Sequence, residues 1–170
     1  YKRQLERPEE EAVKVAASEA EGLIMSWIRE DLKRFGVTFD HYFRESSLYE
    51  GGEVQRVLDE LRERGLLYER DGALWFKSSA FGDEKDRVVV RASGATTYFA
   101  SDIAYHANKL RRGYEVLVDI WGADHHGYVK RVEAALEAMG YDRDRLKVIL
   151  VQLVNLMRGG ERLSMSTRAG

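Results

Sequence analysis

The second half of the chain alternates between helix and strand patterns, and this alternation constrains the fold more than any other feature. Helical periodicity covers residues 101–112 and 126–139, whereas continuous apolar runs typical of buried strands cover residues 115–121 and 148–154. Apolar strands separated by helices of this length favour a parallel sheet with helices on both faces. We therefore predict an α/β fold for this part of the chain.

The first half of the chain has a different pattern. Apolar residues recur every three or four positions through residues 9–35, which predicts one long helix with a buried face. Residues 37–52 have no regular period and are predicted to form a connection with packed aromatic side chains. A second amphipathic helix is predicted over residues 53–64, followed by a hairpin that turns at Asp71-Gly72 because glycine accepts positive φ.

Shorter strands complete the pattern. A β-branched strand is predicted at residues 88–90, and residues 96–99 are expected to be extended before the next helix begins near Ser101. A short hairpin is predicted around Gly159-Gly160. The chain begins at Tyr1 and ends without completing a helix or strand, so we expect a piece of a longer protein.

Composition limits the classes of function. The 170 residues include 27 basic and 29 acidic side chains, so no broad positive surface is available for nucleic acid. Cysteine is absent, which excludes disulfides, thiolate metal sites and cysteine nucleophiles and suits a reducing cytosol. No apolar run reaches the roughly 18 residues that a membrane span needs. We expect a cytoplasmic protein that does not enter a membrane.

One cluster of polar residues lies where an apolar strand ends and a helix begins. It comprises Gly122, Ala123, Asp124, His125 and His126. Ligands of open parallel sheets bind at this edge, where Asp124 could accept hydrogen bonds from ribose and the helix start could face phosphate. The alternative is an ordinary helix cap with two partly exposed histidines. No metal site is expected, because adjacent residues point in different directions and His41 and His106 lie at no useful spacing.

A second cluster contains Tyr98 and Asp102. If a helix begins near Ser101, Tyr98 precedes it and Asp102 lies in its first turn, so a phenol and a carboxylate could meet at the sheet edge. Such a pair suits a planar cation, because a carboxylate accepts a guanidinium through two hydrogen bonds. The alternative is that Asp102 only caps the helix.

A third cluster follows the last hairpin. It comprises Ser164, Met165, Ser166, Thr167 and Arg168. Hydroxyls, backbone amides and a guanidinium on a loop suit polyphosphate binding, although a frayed chain end would have a similar composition.

The three clusters occur together in an order and spacing that resembles arginyl-tRNA synthetases of bacterial type. The matching segments are residues 95–106, 121–129, 151–156 and 165–170, with looser similarity at 68–76 and in the first helix. The resemblance implies the second half of a class I synthetase Rossmann-like catalytic domain over residues 93–170. It implies that residues 1–92 form a helical and β-hairpin connecting or insertion region.

The resemblance also implies an activity and roles for residues. The family joins arginine to tRNA-Arg through arginyl-adenylate, with ATP and Mg²⁺ as substrate, and the implied partners include neither membrane nor DNA. Tyr98 and Asp102 would recognise the arginine guanidinium. ATP would bind Gly122, Ala123, Asp124, His125, His126, Gln152, Met165 and Ser166. The five residues 164–168 take the positions of the family's Lys-Met-Ser-Lys-Ser catalytic loop.

Two departures from the family pattern are visible in the sequence. Both lysines of the loop are replaced, by Ser164 and Thr167, so Arg168 or a basic residue outside this chain would have to serve instead. No His-x-Gly-His string occurs in the 170 residues, and we expect the isolated chain not to aminoacylate. The alternatives are a winged-helix nucleic-acid-binding module built on residues 53–76 and a structural fragment without a ligand. The helix of residues 53–64 is a poor recognition surface, because acidic residues outnumber its arginines.

Overall fold

The computed structural model describes residues 9–152 and 154–163 of the chain. The chain divides into two compact units, Tyr1–Phe43 and Arg44–Gly170. The family resemblance implies a different boundary, between a connecting region and a catalytic region after residue 92, and this boundary stays a prediction. In the described part of the chain, no helix is both long and apolar enough to cross a membrane.

The first unit is dominated by helix α1, Glu9–Arg34, which confirms the long helix. Acidic residues occupy its first turn and basic residues its last, as the helix dipole favours. The prediction that one face of this helix is buried is wrong, because none of the described α1 residues is buried and Trp27 is 63% exposed. Periodicity produces an apolar stripe, but only a second surface can bury it.

The second unit contains every other α-helix and every strand of the described residues. These are α2 (Ser46–Glu50), α3 (Glu53–Glu63), β1 (Leu67–Arg70), β2 (Ala73–Phe76), β3 (Arg87–Val90), α4 (Tyr98–Arg111), β4 (Leu117–Gly122), α5 (His126–Ala138), β5 (Leu146–Val151), β6 (Met157–Arg158) and β7 (Glu161–Arg162). The second amphipathic helix and the two hairpins are therefore confirmed. The prediction of an irregular connection over residues 37–52 is wrong at α2, where the buried side chain of Leu48 anchors a short helix.

Strands β1, β2 and β3 form an antiparallel sheet in that order. The turn between β1 and β2 has positive φ at both central residues, 52° at Asp71 and 72° at Gly72, as a type I′ turn requires. Phe76 and Val89 are fully buried in the core of this unit. The turn thus sets the register that brings Phe76 opposite Leu67.

Helix α4 begins three residues earlier than its sequence pattern predicts. Thr97 is extended, with φ −92° and ψ 162°, but Tyr98 is already helical, so the prediction of extended chain through residue 99 is wrong. The backbone N–H of Thr97 donates to the Val89 carbonyl at 2.9 Å, and its hydroxyl donates to the Val88 carbonyl at 2.9 Å. These bonds to β3 fix the point at which the helix starts.

Strands β4 and β5 pair in parallel and are joined by α5. Helices α4 and α5 bury one face of this sheet through a core of Leu110, Leu117, Val132, Leu136 and Leu146. On the other face, Val118 and Ile120 are 55% and 67% exposed. The parallel sheet is therefore confirmed, but the described residues cover it on one face and not on both.

Candidate functional site

A cavity of about 570 Å³ lies beside β4, between α4 and the start of α5. Its lining includes the polar residues Asp102, His106, Lys109, Asp119, His125 and Tyr128. Gly122, the last residue of β4, also lines it, so the cavity reaches the carboxyl end of the strand. This is the edge at which open α/β sheets bind ligands.

Tyr98 and Asp102 lie four residues apart in α4 and therefore share one face of the helix. Tyr98 is 78% exposed at the helix start, whereas Asp102 is half-buried and lines the cavity. Because α4 begins at Tyr98, Asp102 lies beyond the first turn, and the helix-capping interpretation is wrong. Its carboxylate instead accepts a hydrogen bond from the hydroxyl of Tyr128 in α5.

The surroundings of Asp102 make its negative charge costly. Burial raises the pKa of the Asp102 carboxyl group, and nearby Glu45 adds to that rise. The Tyr128 hydrogen bond and the positive charges of His106 and Lys109 act in the opposite direction but do not outweigh burial. A cation bound against this carboxylate would stabilise its charged form.

Asp119 is the second carboxylate at the cavity, and it is already paired. His106 Nε2 lies 2.6 Å from Asp119 Oδ2, and Lys109 Nζ donates to Oδ1 at 3.0 Å. Burial acts to raise the pKa of Asp119, but His106 and Lys109 outweigh it and lower that pKa to about 2. Asp119 therefore ties α4 to β4. Of this pair, Asp102 is the carboxylate with an oxygen that accepts no hydrogen bond from the described residues.

Sequence reasoning overlooked Asp119, Lys109 and Tyr128 and dismissed His106. A signal was present for Asp119, because it is a charged residue within the apolar strand β4. His106 follows Asp102 by one helical turn, and its Nδ1 lies 2.7 Å from the Asp102 carbonyl oxygen. Tyr128 carried no comparable signal, because its contact with Asp102 joins two different helices.

The segment from Gly122 to His126 connects β4 to α5 through a short 3-10 turn, Ala123–His125. A side chain at position 122 would overlap the carboxylate of Asp124, so only glycine allows this carboxylate to fold back over the strand end. Asp124 makes no side-chain capping bond to the helix, so the capping interpretation is wrong here too. His125, His126 and Asp124 are exposed.

Gln152 directly follows β5 and is exposed. Because Val151 pairs with Gly122, Gln152 lies at the same edge of the sheet as the 122–126 segment. The predicted loop residues Ser164, Met165, Ser166, Thr167 and Arg168 lie outside the described residues. Within the described ranges, no three His, Cys, Asp or Glu side chains are grouped to hold a metal ion.

A parallel strand pair with a glycine turn at the carboxyl end of one strand and a cavity at the same edge is typical of nucleotide-binding α/β proteins. The chain matches, over residues 1–170, the family described as tRNA synthetases class I (R), catalytic domain, and it belongs to that family.

The chain is similar to two bacterial proteins named arginine–tRNA ligase. One, from Oleidesulfovibrio alaskensis, is 57% identical over 166 residues, which cover 98% of this chain and 30% of that protein. The other, from Thioalkalivibrio sulfidiphilus, is 61% identical over 148 residues, which cover 87% of this chain and 25% of that protein. The chain thus spans less than a third of the length of these relatives.

Two solved structures resemble the fold. An arginyl-tRNA synthetase structure from Campylobacter jejuni is 40% identical with a TM-score of 0.84, over 93% of this chain and 34% of that one. The Thermus thermophilus arginyl-tRNA synthetase is 21% identical with a TM-score of 0.61, over 88% of this chain and 34% of that one. At that identity, the second likeness concerns the fold alone.

Proposed function

We propose that this chain supplies the arginine-selecting site and part of the ATP site of an arginine–tRNA ligase. The parent reaction joins arginine and ATP into arginyl-adenylate and then transfers arginine to the acceptor end of tRNA-Arg. Family membership and the similarity to arginine–tRNA ligases support this proposal. The observation that carries it is the half-buried carboxylate of Asp102 at the cavity.

Asp102 has the chemistry that a guanidinium requires. Its Oδ1 accepts no hydrogen bond from the residues that the structure describes, and its Oδ2 accepts only that of Tyr128. A carboxylate has about four acceptor positions, so enough remain for a guanidinium to bind through two N–H groups. Tyr98, one turn away on the same helical face, adds a phenol that can pack against the planar group.

The ATP side of the site is proposed at the carboxyl ends of β4 and β5. Gly122, Ala123, Asp124, His125, His126 and Gln152 share this edge. Asp124 and the start of α5 offer acceptors for ribose hydroxyls and N–H groups for phosphate. Residues 164–168 would hold the triphosphate with its Mg²⁺, and Arg168 or a basic residue elsewhere would replace the missing lysines.

We further propose that residues 93–170 form the second half of a Rossmann-like catalytic domain and residues 1–92 a connecting or insertion region. The exposed apolar residues Val118 and Ile120 on the open face of β4 support this, since helices cover both faces of a complete sheet of this kind. The arginine carboxylate itself attacks the α-phosphorus and pyrophosphate leaves, so no protein nucleophile is needed. This chain's residues position substrates and stabilise charge.

The winged-helix alternative is not favoured. Helix α3 would have to serve as a recognition helix, but its apolar face is buried. Two of its carboxylates, Glu53 and Glu60, are bound by Arg111 at 3.0 Å and 2.6 Å. Helix α3 therefore packs against α4. The groups that it presents are acidic and would repel phosphates.

Calorimetric titration of the chain with arginine tests the proposal. Asp102→Asn keeps the shape of the side chain and removes its charge, so arginine affinity should fall at least about tenfold, as expected for a charge-assisted pair. Asp144→Asn is the matched control, because the Asp144 side chain is 86% exposed and lies outside the cavity lining. Neutral citrulline should bind poorly to the unaltered chain. Equal arginine affinity in the Asp102→Asn variant, or no arginine binding by the unaltered chain, would contradict the proposal.

A further inference from the structure

The hydrogen bond between Tyr128 and Asp102 has no part in the arginine and ATP contacts proposed above. Tyr128 is the third residue of α5, is half-buried and lines the cavity. Its hydroxyl donates to Asp102 Oδ2 across the space between α5 and α4. Burial and the neighbouring Asp102 raise the pKa of the Tyr128 hydroxyl far above its ordinary value, so it stays a donor at any working pH.

We propose that Tyr128 is a positioning residue that holds the Asp102 carboxylate in one orientation and in its charged form for the guanidinium. The proposal rests on the proposed function, because it assumes that Asp102 is the group that selects arginine. It adds a residue that acts on the ligand through Asp102.

The Tyr128 ring is itself held in place. Phe99 of α4 meets it edge-on with ring centroids 6.0 Å apart, and Trp121 of β4 does so at 5.9 Å. The guanidinium of Arg131 lies 5.2 Å from the ring centroid. Contacts from three elements leave the ring little freedom, so the hydroxyl is presented to Asp102 in a fixed direction.

Asp102 is held from a second side through its backbone. His106 Nδ1 lies 2.7 Å from the Asp102 carbonyl oxygen, and His106 Nε2 lies 2.6 Å from Asp119. Both ring nitrogens therefore face oxygen acceptors, and both bonds are made when the ring is protonated. The backbone of Asp102 is fixed to β4 in this way, while its carboxylate is fixed to α5. Because the carboxylate is already held in one orientation, it loses little conformational entropy when a ligand binds.

The Tyr128 bond also favours the charged form of Asp102. The titratable groups around this carboxylate are Tyr128 from α5, His125 from the turn before α5, Tyr105, His106 and Lys109 from α4, Asp119 from β4 and Glu45 before α2. Burial and Glu45 favour the neutral acid, whereas Tyr128, His106 and Lys109 favour the anion. Removal of the hydroxyl would tip this balance toward the neutral acid, which binds a guanidinium weakly.

Carbon-13 NMR titration of the carboxyl groups in the 170-residue chain tests the contact directly. Asp102→Asn assigns the Asp102 signal by its loss. In Tyr128→Phe, the titration midpoint of Asp102 should move upward. Tyr141→Phe is the matched control, because Tyr141 is a half-buried tyrosine that packs on the core and lies outside the cavity lining. It should leave the midpoint unchanged.

Arginine calorimetry across a pH series then tests the role. In Tyr128→Phe, arginine should bind about tenfold more weakly near neutral pH, as expected for one lost hydrogen bond to a charged group. The loss should deepen as the pH falls, because more of Asp102 becomes neutral, and Tyr141→Phe should show neither effect. If Tyr128→Phe fails to fold, 3-fluorotyrosine at position 128 replaces it. That residue is a stronger donor and should move the Asp102 midpoint downward.

The outcomes separate the two proposals. An Asp102 midpoint that does not respond to the change at Tyr128 overturns the positioning role. A midpoint that moves while arginine affinity stays constant at every pH also overturns it, since the contact would then be structural only. If the unaltered chain binds no arginine, the proposed function fails, and the Asp102 titration alone decides whether Tyr128 controls its charge.

Discussion

Replacement of Asp119 by asparagine should destabilise the second unit measurably and in a pH-dependent way. The Asp119 side chain is 9% exposed and paired with both His106 and Lys109, so solvent screens these interactions little. Its pKa falls from 3.8 to about 2 on folding. At about 1.4 kcal/mol per pKa unit, the charged form stabilises the folded chain by about 2–3 kcal/mol at pH 7.

The expected loss in Asp119→Asn is about 2–4 kcal/mol, because the substitution also leaves Lys109 and His106 without their counter-charge. The sign of the pH effect follows from the lowered pKa of Asp119. The stabilisation is complete well above pH 3.8, declines progressively as the pH falls below that value, and is nearly gone once the pH has fallen through about 2. At pH 3 about 1 kcal/mol of it should remain by the same linkage.

Urea denaturation followed by circular dichroism at several pH values between 3 and 7 measures this difference. Asp144→Asn serves as the control, because its side chain is 86% exposed and its loss should cost less than about 0.5 kcal/mol. The reasoning would be refuted by an Asp119→Asn loss below about 1 kcal/mol at pH 7. A loss of the same size at pH 3 and pH 7 would equally refute it.

Two further predictions concern the core and the strand end. Phe76 is fully buried and stacks on Phe81, so Phe76→Ala should cost about 3–5 kcal/mol in the same denaturation assay, whereas Phe35→Ala, at an 87% exposed side chain, should cost little. Similar losses for both would contradict the assignment of the core. Gly122→Ala should leave the fold intact, because φ of −64° suits any residue, but should displace the Asp124 carboxylate and weaken ATP binding several-fold in a calorimetric titration. Unchanged ATP affinity would remove Asp124 from the proposed ATP site.

Much of the fold follows from local patterns. The apolar periods of residues 115–121, 126–139 and 148–154 locate β4, α5 and β5 to within three residues, and Asp71-Gly72 locates the first hairpin turn. Each of these signals depends on residues close together in sequence. The start of α4 was not predictable in the same way. The β-branched run before Tyr98 favours extended chain, and only the bonds from Thr97 to β3 set where that ends.

In the candidate site, too, the sequence indicates contacts between neighbouring residues of one helix but not contacts between different helices. The chemistry of Asp102 and its spacing of four residues from Tyr98 made it a candidate, with a helix cap as the alternative, and the family resemblance implied its role. Its partner Tyr128 belongs to a different helix, 26 residues further along the chain, so periodicity carries no information about it. The apolar stripe of α1 is exposed for a similar reason. Its periodicity defines an apolar face of the helix but does not define which surface, if any, covers that face.

The short turn between β4 and α5 sets the rotational phase of α5 about its own axis. Residues of an α-helix are spaced by about 100° around that axis, so one residue inserted within Ala123–His125 would turn Tyr128 away from Asp102 by roughly that angle. The pairing of Gly122 with Val151 lies before the insertion and would be kept. The length of this turn therefore couples the strand end proposed for ATP to the carboxylate proposed for arginine. Insertions there should uncouple the two even where the sheet still forms.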